Sequence, residues 1–282
     1  MTILAESKGL SDVGLERDHN EDSFMILPNY NLFLVADGMG GHNAGDVASS
    51  MAVQTIEDFF NHTDSEDATW PFHFDTNLSY EENRILGSIQ MANRSIMRQS
   101  SSNRNQEGMG TTIVAMCFSK TLPVAYFGHA GDSRGYRVRD GTIKQLTRDH
   151  SLISDFEQAM PDISAEKKES IPKNIITRAL GMQPYVEVEL NKVDVVEGDL
   201  FLLCSDGLSG AGSDEEILEI IMDSGSNLSL ICKKLVELAN NKGGDDNITV
   251  VMARVKEVRD EAKPATADDD TVEVKIDPSK EK

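Results

Sequence analysis

The sequence predicts an α+β fold in which two packed antiparallel β-sheets are flanked by helices. Apolar runs rich in β-formers crowd residues 111–146 and recur toward both ends of the chain, with turn signals between them. Two amphipathic helical patterns stand together between residues 44 and 99. Strands and helices in blocks build antiparallel sheets, whereas a regular β-α-β alternation would build a parallel one.

Taken in order, residues 9–15 read as a short strand, followed by the polar run Glu16-Arg17-Asp18-His19-Asn20-Glu21-Asp22. Residues 23–27 and 31–36 form a hairpin around Pro28-Asn29. Helical spacing of Ala48, Met51, Ala52, Thr55, Ile56 and Phe59 predicts a helix over 44–60, and Ile85, Leu86, Ile89, Ala92 and Ile96 predict another over 80–99. Strands are expected at 111–118, 123–129, 133–139 and 142–146, with Asp140-Gly141 as a tight turn. Residues 148–182 change character, being charged and mixed, with short helices at 151–159 and 165–170; they read as an insertion lying over a surface like a flap. Strands return at 186–195 and 199–204. Helices follow from Ser213 and over 227–240, and a last strand covers 248–255. Ser213 before Asp214-Glu215-Glu216 supplies an N-cap and an acidic first turn. Residues 1–255 thus form one domain. The charged segment 256–282 offers too little apolar surface to offset ordering entropy and reads as a disordered tail.

Composition narrows the partners. A formal net charge of −21 over 282 residues argues against nucleic acid and against anionic membranes, both of which attract basic surfaces. Cys117, Cys204 and Cys232 lie inside apolar patterns without metal-type spacing, as reduced core residues do. No apolar run approaches the ~20 residues that span a bilayer, and the first residues lack a secretory pattern. The expectation is a cytoplasmic monomer.

The chemistry is carried by aspartates at strand ends beside glycine. The run Leu32-Phe33-Leu34-Val35-Ala36 stops at Asp37-Gly38, and Leu200-Phe201-Leu202-Leu203-Cys204-Ser205 stops at Asp206-Gly207. Asp132 follows Gly131, Asp246 precedes Asn247, and Glu21-Asp22 leads into a strand. Any one of these could be plain turn punctuation; their joint occurrence points to a shared site. Oxygen-rich donors without sulfur select Mg2+ or Mn2+ over Zn2+. A pair of such ions suits in-line hydrolysis by a bridging water whose pKa they lower. Arg17 is the matching phosphate clamp, because a guanidinium grips phosphate through parallel hydrogen bonds.

These motifs resemble the metal-dependent protein serine/threonine phosphatase family (type 2C), in its bacterial branch. Arg17-x-x-Asn20-Glu21-Asp22, Asp37-Gly38-Met39-Gly40-Gly41-His42, Gly110-Thr111-Thr112, Gly131-Asp132-Ser133-Arg134, Ser205-Asp206-Gly207-Leu208 and Asp246-Asn247-Ile248-Thr249 follow its order and spacing over residues 9–255. The resemblance implies a four-layer α/β/β/α arrangement, a central antiparallel β-sandwich with helices on both faces. It implies that Asp37 and Asp206 bind metal directly, Gly38 through its carbonyl, and that Asp246 completes a two-ion Mn2+ or Mg2+ centre. Asp22 would hold a metal-bound water with Glu21 nearby, Asp132 would serve a third, weaker ion, and Arg17 would bind the substrate phosphate. The implied activity is hydrolysis of phosphoserine and phosphothreonine in proteins, opposing a bacterial serine/threonine kinase. Two departures stand out. Animal members place a histidine directly after the first Asp-Gly, where this chain has Met39, so His42 is nominated as general acid. Many bacterial relatives carry His-Pro in the flap, where Ile171-Pro172-Lys173-Asn174 keeps only the proline.

Other functions fare less well. Gly131-Asp132-Ser133-Arg134-Gly135 fits G-x-S-x-G, but a strand and hairpin turn follow it where a nucleophile elbow needs a helix. The glycines at 38–41 lack both dinucleotide spacing and a P-loop lysine. A catalytically weak relative that binds phosphoproteins is the alternative from another class; the presence of every metal aspartate and of Arg17 counts against it.

Overall fold

Strand β3 (Leu32–Met39) shows why the molecule is layered. Leu32, Leu34 and Ala36 pack beneath helices, whereas Phe33 and Val35 meet a second sheet. Successive strand side chains face opposite sides, and here both sides are apolar, so both must be covered. The chain is described from a computed structural model for residues 2–259, apart from 41–43, 65–69, 71, 73, 163–166, 169 and 173–174.

The first sheet runs in the order β2 (Asp22–Leu27), β3, β5 (Ile113–Phe118), β6 (Val124–Ala130) and β9 (Glu189–Asp194), with the short β4 (Gly110–Thr111) added to β3. The second runs β1 (Thr2–Asp12), β11 (Ile248–Arg259), β10 (Leu200–Cys204), β7 (Arg134–Arg139) and β8 (Thr142–Gln145). Both are antiparallel throughout. Helices α1 (Gly45–His62) and α2 (Tyr80–Ser102) cover the outer face of the first sheet, burying Ala48, Ala52, Ile56, Ile85, Ile89 and Ile96 against it. A short α3 (Leu152–Ala159) lies in the flap, and the single-turn α4 (Asp206–Ser209) follows β10 directly. Helices α5 (Asp214–Asp223) and α6 (Leu228–Asn241) cover the second sheet through Ile217, Ile221, Ile231 and Leu235. Between the sheets Phe33, Phe118, Phe127, Phe201 and Val251 interdigitate, with Phe118 and Phe201 edge to face at 5.5 Å. Each such ring contributes about 2–3 kcal/mol by leaving water. The expected four-layer α/β/β/α sandwich is the observed architecture.

Differences from the expected elements have local causes. Strand β1 begins at Thr2 rather than near residue 9, because β11 supplies partners along its whole length. Its edge position leaves Glu6 and Lys8 outside the apolar pattern that would have announced it. By the same pairing β11 continues to Arg259, past the boundary expected at 255, and residues 260–282 lie outside the described residues. The strand expected over 111–118 is interrupted at Thr112, whose amide turns aside to the Asp37 carbonyl at 2.8 Å. Of the flap helix expected over 165–170, residues 165, 166 and 169 lie outside the described residues. Ser213 caps α5 through a reciprocal capping box with Glu216, as its position predicts. All three cysteines are buried free thiols, and no described helix is long and apolar enough to cross a membrane.

Candidate metal centre

The register of the first sheet sets Asp22 opposite Asp37 at the open end of the sandwich. By alternation along β3, Asp37 faces the second sheet, as Phe33 and Val35 do. There β10 ends and Asp206 begins α4. The Ser205 amide donates to the Thr249 carbonyl at 3.1 Å, which holds the end of β10 against the start of β11, just past Asp246. Asp132 arrives from the β6–β7 turn. Its predecessor Gly131 has φ +118°, and a Cβ there would lie 2.5 Å from the Thr112 side chain, so only glycine fits. Both sheets therefore deliver carboxylates to one place.

Their electrostatics show the convergence. Burial raises Asp22 to about 7, helped by the charges of Asp206 and Asp246 and offset by hydrogen bonds from Thr249 and Ser205. Asp37 is held well above the usual carboxylate range by burial and by Asp22 and Asp206, and its carboxyl shares a hydrogen bond with Asp206. Burial, then the Asp246 charge, raises Asp206. Asp132 is pushed up to about 7 by burial and by Asp206. Like charges packed this closely resist ionisation together. Burial and repulsion of this kind are costly in a folded protein unless a cation compensates them.

Neutral groups fix the carboxylates in place. Ser205 Oγ donates to Asp22 Oδ2 at 2.7 Å. Thr112 Oγ1 accepts the Asp37 amide at 3.1 Å, and Thr111 Oγ1 donates to the Asp37 carbonyl at 2.8 Å. Gly38 lies beneath the start of α1, where a Cβ would come within 2.2 Å of the Gly45 carbonyl oxygen. Arg17 sits at the rim, about half exposed, with Nη2 on Asp246 Oδ2 at 2.8 Å and Nε on the Asp245 carbonyl at 3.2 Å. The Glu21 carboxylate lies against Gly45 and 3.2 Å from His19 Nε2. His42 lies outside the described residues.

Asn247 is a hub that pattern reading did not single out beyond its place in the Asp246-Asn247 motif. Its Oδ1 accepts the Glu21 amide at 2.7 Å, and its Nδ2 donates to the Val13 and His19 carbonyls at 2.9 and 3.0 Å. One side chain thereby ties the loop that carries Arg17 to the strand that follows Asp246. Asn247→Ala should remove three hydrogen bonds of roughly 1 kcal/mol each. The expected result is a loss of about 2–3 kcal/mol in denaturant unfolding and a raised KM for a phosphorylated substrate; an unchanged KM would refute the link to Arg17.

The residues fit a hard divalent cation. Every converging donor is oxygen, and Asp132 Oδ1 is buried with no hydrogen-bond partner among the described residues. Asp37, Asp206 and Asp246 would be the principal ligands, with Asp22 and Asp132 completing the set.

A family model described as Protein phosphatase 2C matches residues 16–229. The chain is 38% identical over 251 residues to serine/threonine phosphatase stp of Listeria welshimeri, covering 86% of this chain and 92% of that protein. It is 36% identical over 260 residues to serine/threonine protein phosphatase PstP of Mycobacterium tuberculosis, covering 90% of this chain and 46% of that longer protein. The solved catalytic domain of PstP in complex with two manganese ions matches with a TM-score of 0.75 at 34% identity, over 91% of this chain and all of that one. The S. agalactiae serine/threonine phosphatase matches with a TM-score of 0.78 at 34% identity, over 90% of this chain. A family model spanning most of the chain, and relatives aligned along nearly all of it, place this chain in the protein phosphatase 2C family.

Proposed function

We propose that this chain hydrolyses phosphoserine and phosphothreonine in proteins with the help of two Mn2+ or Mg2+ ions, in the cytoplasm and in opposition to a serine/threonine kinase. The observation that carries the reading is the convergence of Asp22, Asp37, Asp132, Asp206 and Asp246, with Arg17 on Asp246. The names of the relatives and the manganese ions of PstP support the substrate class and the metal.

Divalent cations bound there would lower the pKa of water and neutralise charge on the phosphoryl group. The chain's own part is placement. Asp37, Asp206 and Asp246 would present carboxylate oxygens to the cations; Ser205 steadies the carboxylate of Asp22, and Thr111 and Thr112 hold the backbone of Asp37. Arg17, anchored through Nε and Nη2, keeps its Nη1 donors for a phosphate oxygen at the rim. The three buried thiols suit a reducing compartment.

Hydrolysis of p-nitrophenyl phosphate and of a phosphothreonine peptide, each with manganese and with chelator, tests the reading. Manganese-dependent release of phosphate is expected from both. No turnover, or equal turnover in Asp206→Asn, would leave a phosphoprotein-binding relative as the better description. Arg17→Ala should raise KM by about tenfold, the scale of one lost charge-assisted hydrogen bond, with a smaller change in kcat. A fall confined to kcat would remove Arg17 from substrate binding.

A further inference from the structure

Behind Asp132 lies a buried group outside the carboxylate centre. His129, on β6, and His150, after β8, stack with ring centroids 4.6 Å apart and planes 6° from parallel, and Glu189, on β9, closes the cluster. Ligand-type atoms of all three lie within 4.8 Å of one another. Parallel stacked rings aim their in-plane lone pairs alongside each other instead of at a common point, and the Arg178 guanidinium stands 3.3 Å from His150 Nε2. A cation would meet one badly aimed ligand and one positive neighbour, so the cluster has another use.

His150 grips Gly131 twice. Its amide donates to the Gly131 carbonyl at 3.0 Å, and its Nδ1 accepts the Gly131 amide at 3.2 Å. An acceptor nitrogen carries no proton, so in the neutral ring the hydrogen is on Nε2, where Glu189 Oε2 at 3.3 Å accepts it and the Arg178 Nη1 contact, donor facing donor, is not a hydrogen bond. Glu189 thereby selects the tautomer that Gly131 needs. Gly131 is the glycine-only pivot from which Asp132 projects, and Asp132 Oδ1 has no hydrogen-bond partner among the described residues. The ring is fully buried, and burial together with the neighbouring His129 lowers its pKa to about 4, so it stays neutral near pH 7. The same residue also holds the flap, since its carbonyl accepts the Thr177 amide at 2.8 Å.

We propose that His150, with its tautomer set by Glu189, is a positioning residue for Asp132: its Nδ1 fixes the Gly131 peptide and so the aim of the Asp132 carboxylate into the metal centre. The proposal rests on the reading of Asp132 as a metal ligand. It assigns His150 the part that outer partners of metal ligands commonly play, where losing one weakens metal binding by about 10–100-fold.

Three measurements test it. In metal-free wild-type protein, long-range 1H–15N correlation of the imidazole should show His150 protonated on Nε2; the Nδ1–H tautomer overturns the proposal without any variant. His150→Phe keeps the stacked ring and loses the acceptor, whereas His150→Asn keeps an acceptor near the Nδ1 position and loses the stack. His150→Phe should speed hydrogen exchange of the Gly131 amide in metal-free protein by about tenfold, and weaken the loosest calorimetric Mn2+ binding step by about tenfold. His150→Asn should stay within about threefold of wild type in both. Equal losses in the two variants would make the ring's packing, not its acceptor, responsible, and would overturn the proposal. Asp132→Asn separates the two readings. If it binds Mn2+ as wild type does, Asp132 is no ligand and both fall. If it loses Mn2+ while His150→Phe does not, the positioning role alone falls.

Discussion

Asp37→Asn should abolish cation-dependent turnover, lowering kcat by about 1,000-fold or more, while making the metal-free protein more stable at pH 8. The two halves have one cause. Asp37 stands opposite Asp22, shares a hydrogen bond with Asp206, and is held far above its ordinary pKa by burial and by both neighbours. An amide of nearly the same shape removes that repulsion but offers a cation no charge. Three decades of rate correspond to about 4 kcal/mol of barrier, within what a metal centre supplies. Calorimetric titration with Mn2+ and melting curves in chelator are the measurements. Wild-type Mn2+ affinity in the variant would refute Asp37 as a ligand. A metal-free variant less stable than wild type would refute the account of repulsion.

The second large effect is a pH-dependent stabilisation by metal. Asp22 and Asp132 titrate at about 7 in the folded chain, and Asp37 and Asp206 are raised in the same direction, whereas unfolded aspartates ionise near 3.8. Between those values the folded state holds more protons than the unfolded one. The contribution of these groups is therefore fully present below about pH 4 and is lost as pH rises through about 7. Cations bind the deprotonated carboxylates, so they restore most where most has been lost. At a hundred times its Kd, one bound ion adds about 2.7 kcal/mol, or roughly 5–10 °C in Tm for a domain of this size. The difference in Tm between manganese and chelator should be large at pH 8 and shrink toward pH 5. A difference independent of pH would show that the aspartates are not the groups the metal engages. Because other carboxylates titrate in the same range, the difference, not either curve alone, carries the test.

Much of the architecture is legible along the chain because strand periodicity is a local property. The hairpin of β2 and β3, helices α1 and α2, and the strands from β5 to β8 follow from alternation, helical spacing and turn residues that each segment carries itself. Where a segment's structure depends on its partner, the pattern falls silent. Residues 2–4 and 257–259 are strand because they pair with each other, and residues 5–8 because they pair with 252–255. Their composition is that of a solvated edge, which no window along the sequence distinguishes from a loop.

The site divides along the same line. The repeated device of an apolar strand running into aspartate and glycine, at Asp37-Gly38 and Asp206-Gly207, marks the proposed ligands from sequence alone, because a hard-cation site would need that residue type at that position. Arg17 is marked likewise. The sequence does not place the Glu21 carboxylate against Gly45 and beside His19, make Asn247 the clasp between two segments, or stack His150 on His129 behind Gly131. Those roles belong to no residue type. They arise from which backbone groups the two sheets bring within 3 Å or so of a side chain, a distance set by the register of β-pairing and the meeting of segments far apart in the chain. The layers and the charge of the centre are written along the chain; how that charge is aimed is set by tertiary contacts, because aim depends on hydrogen bonds between residues up to 234 positions apart.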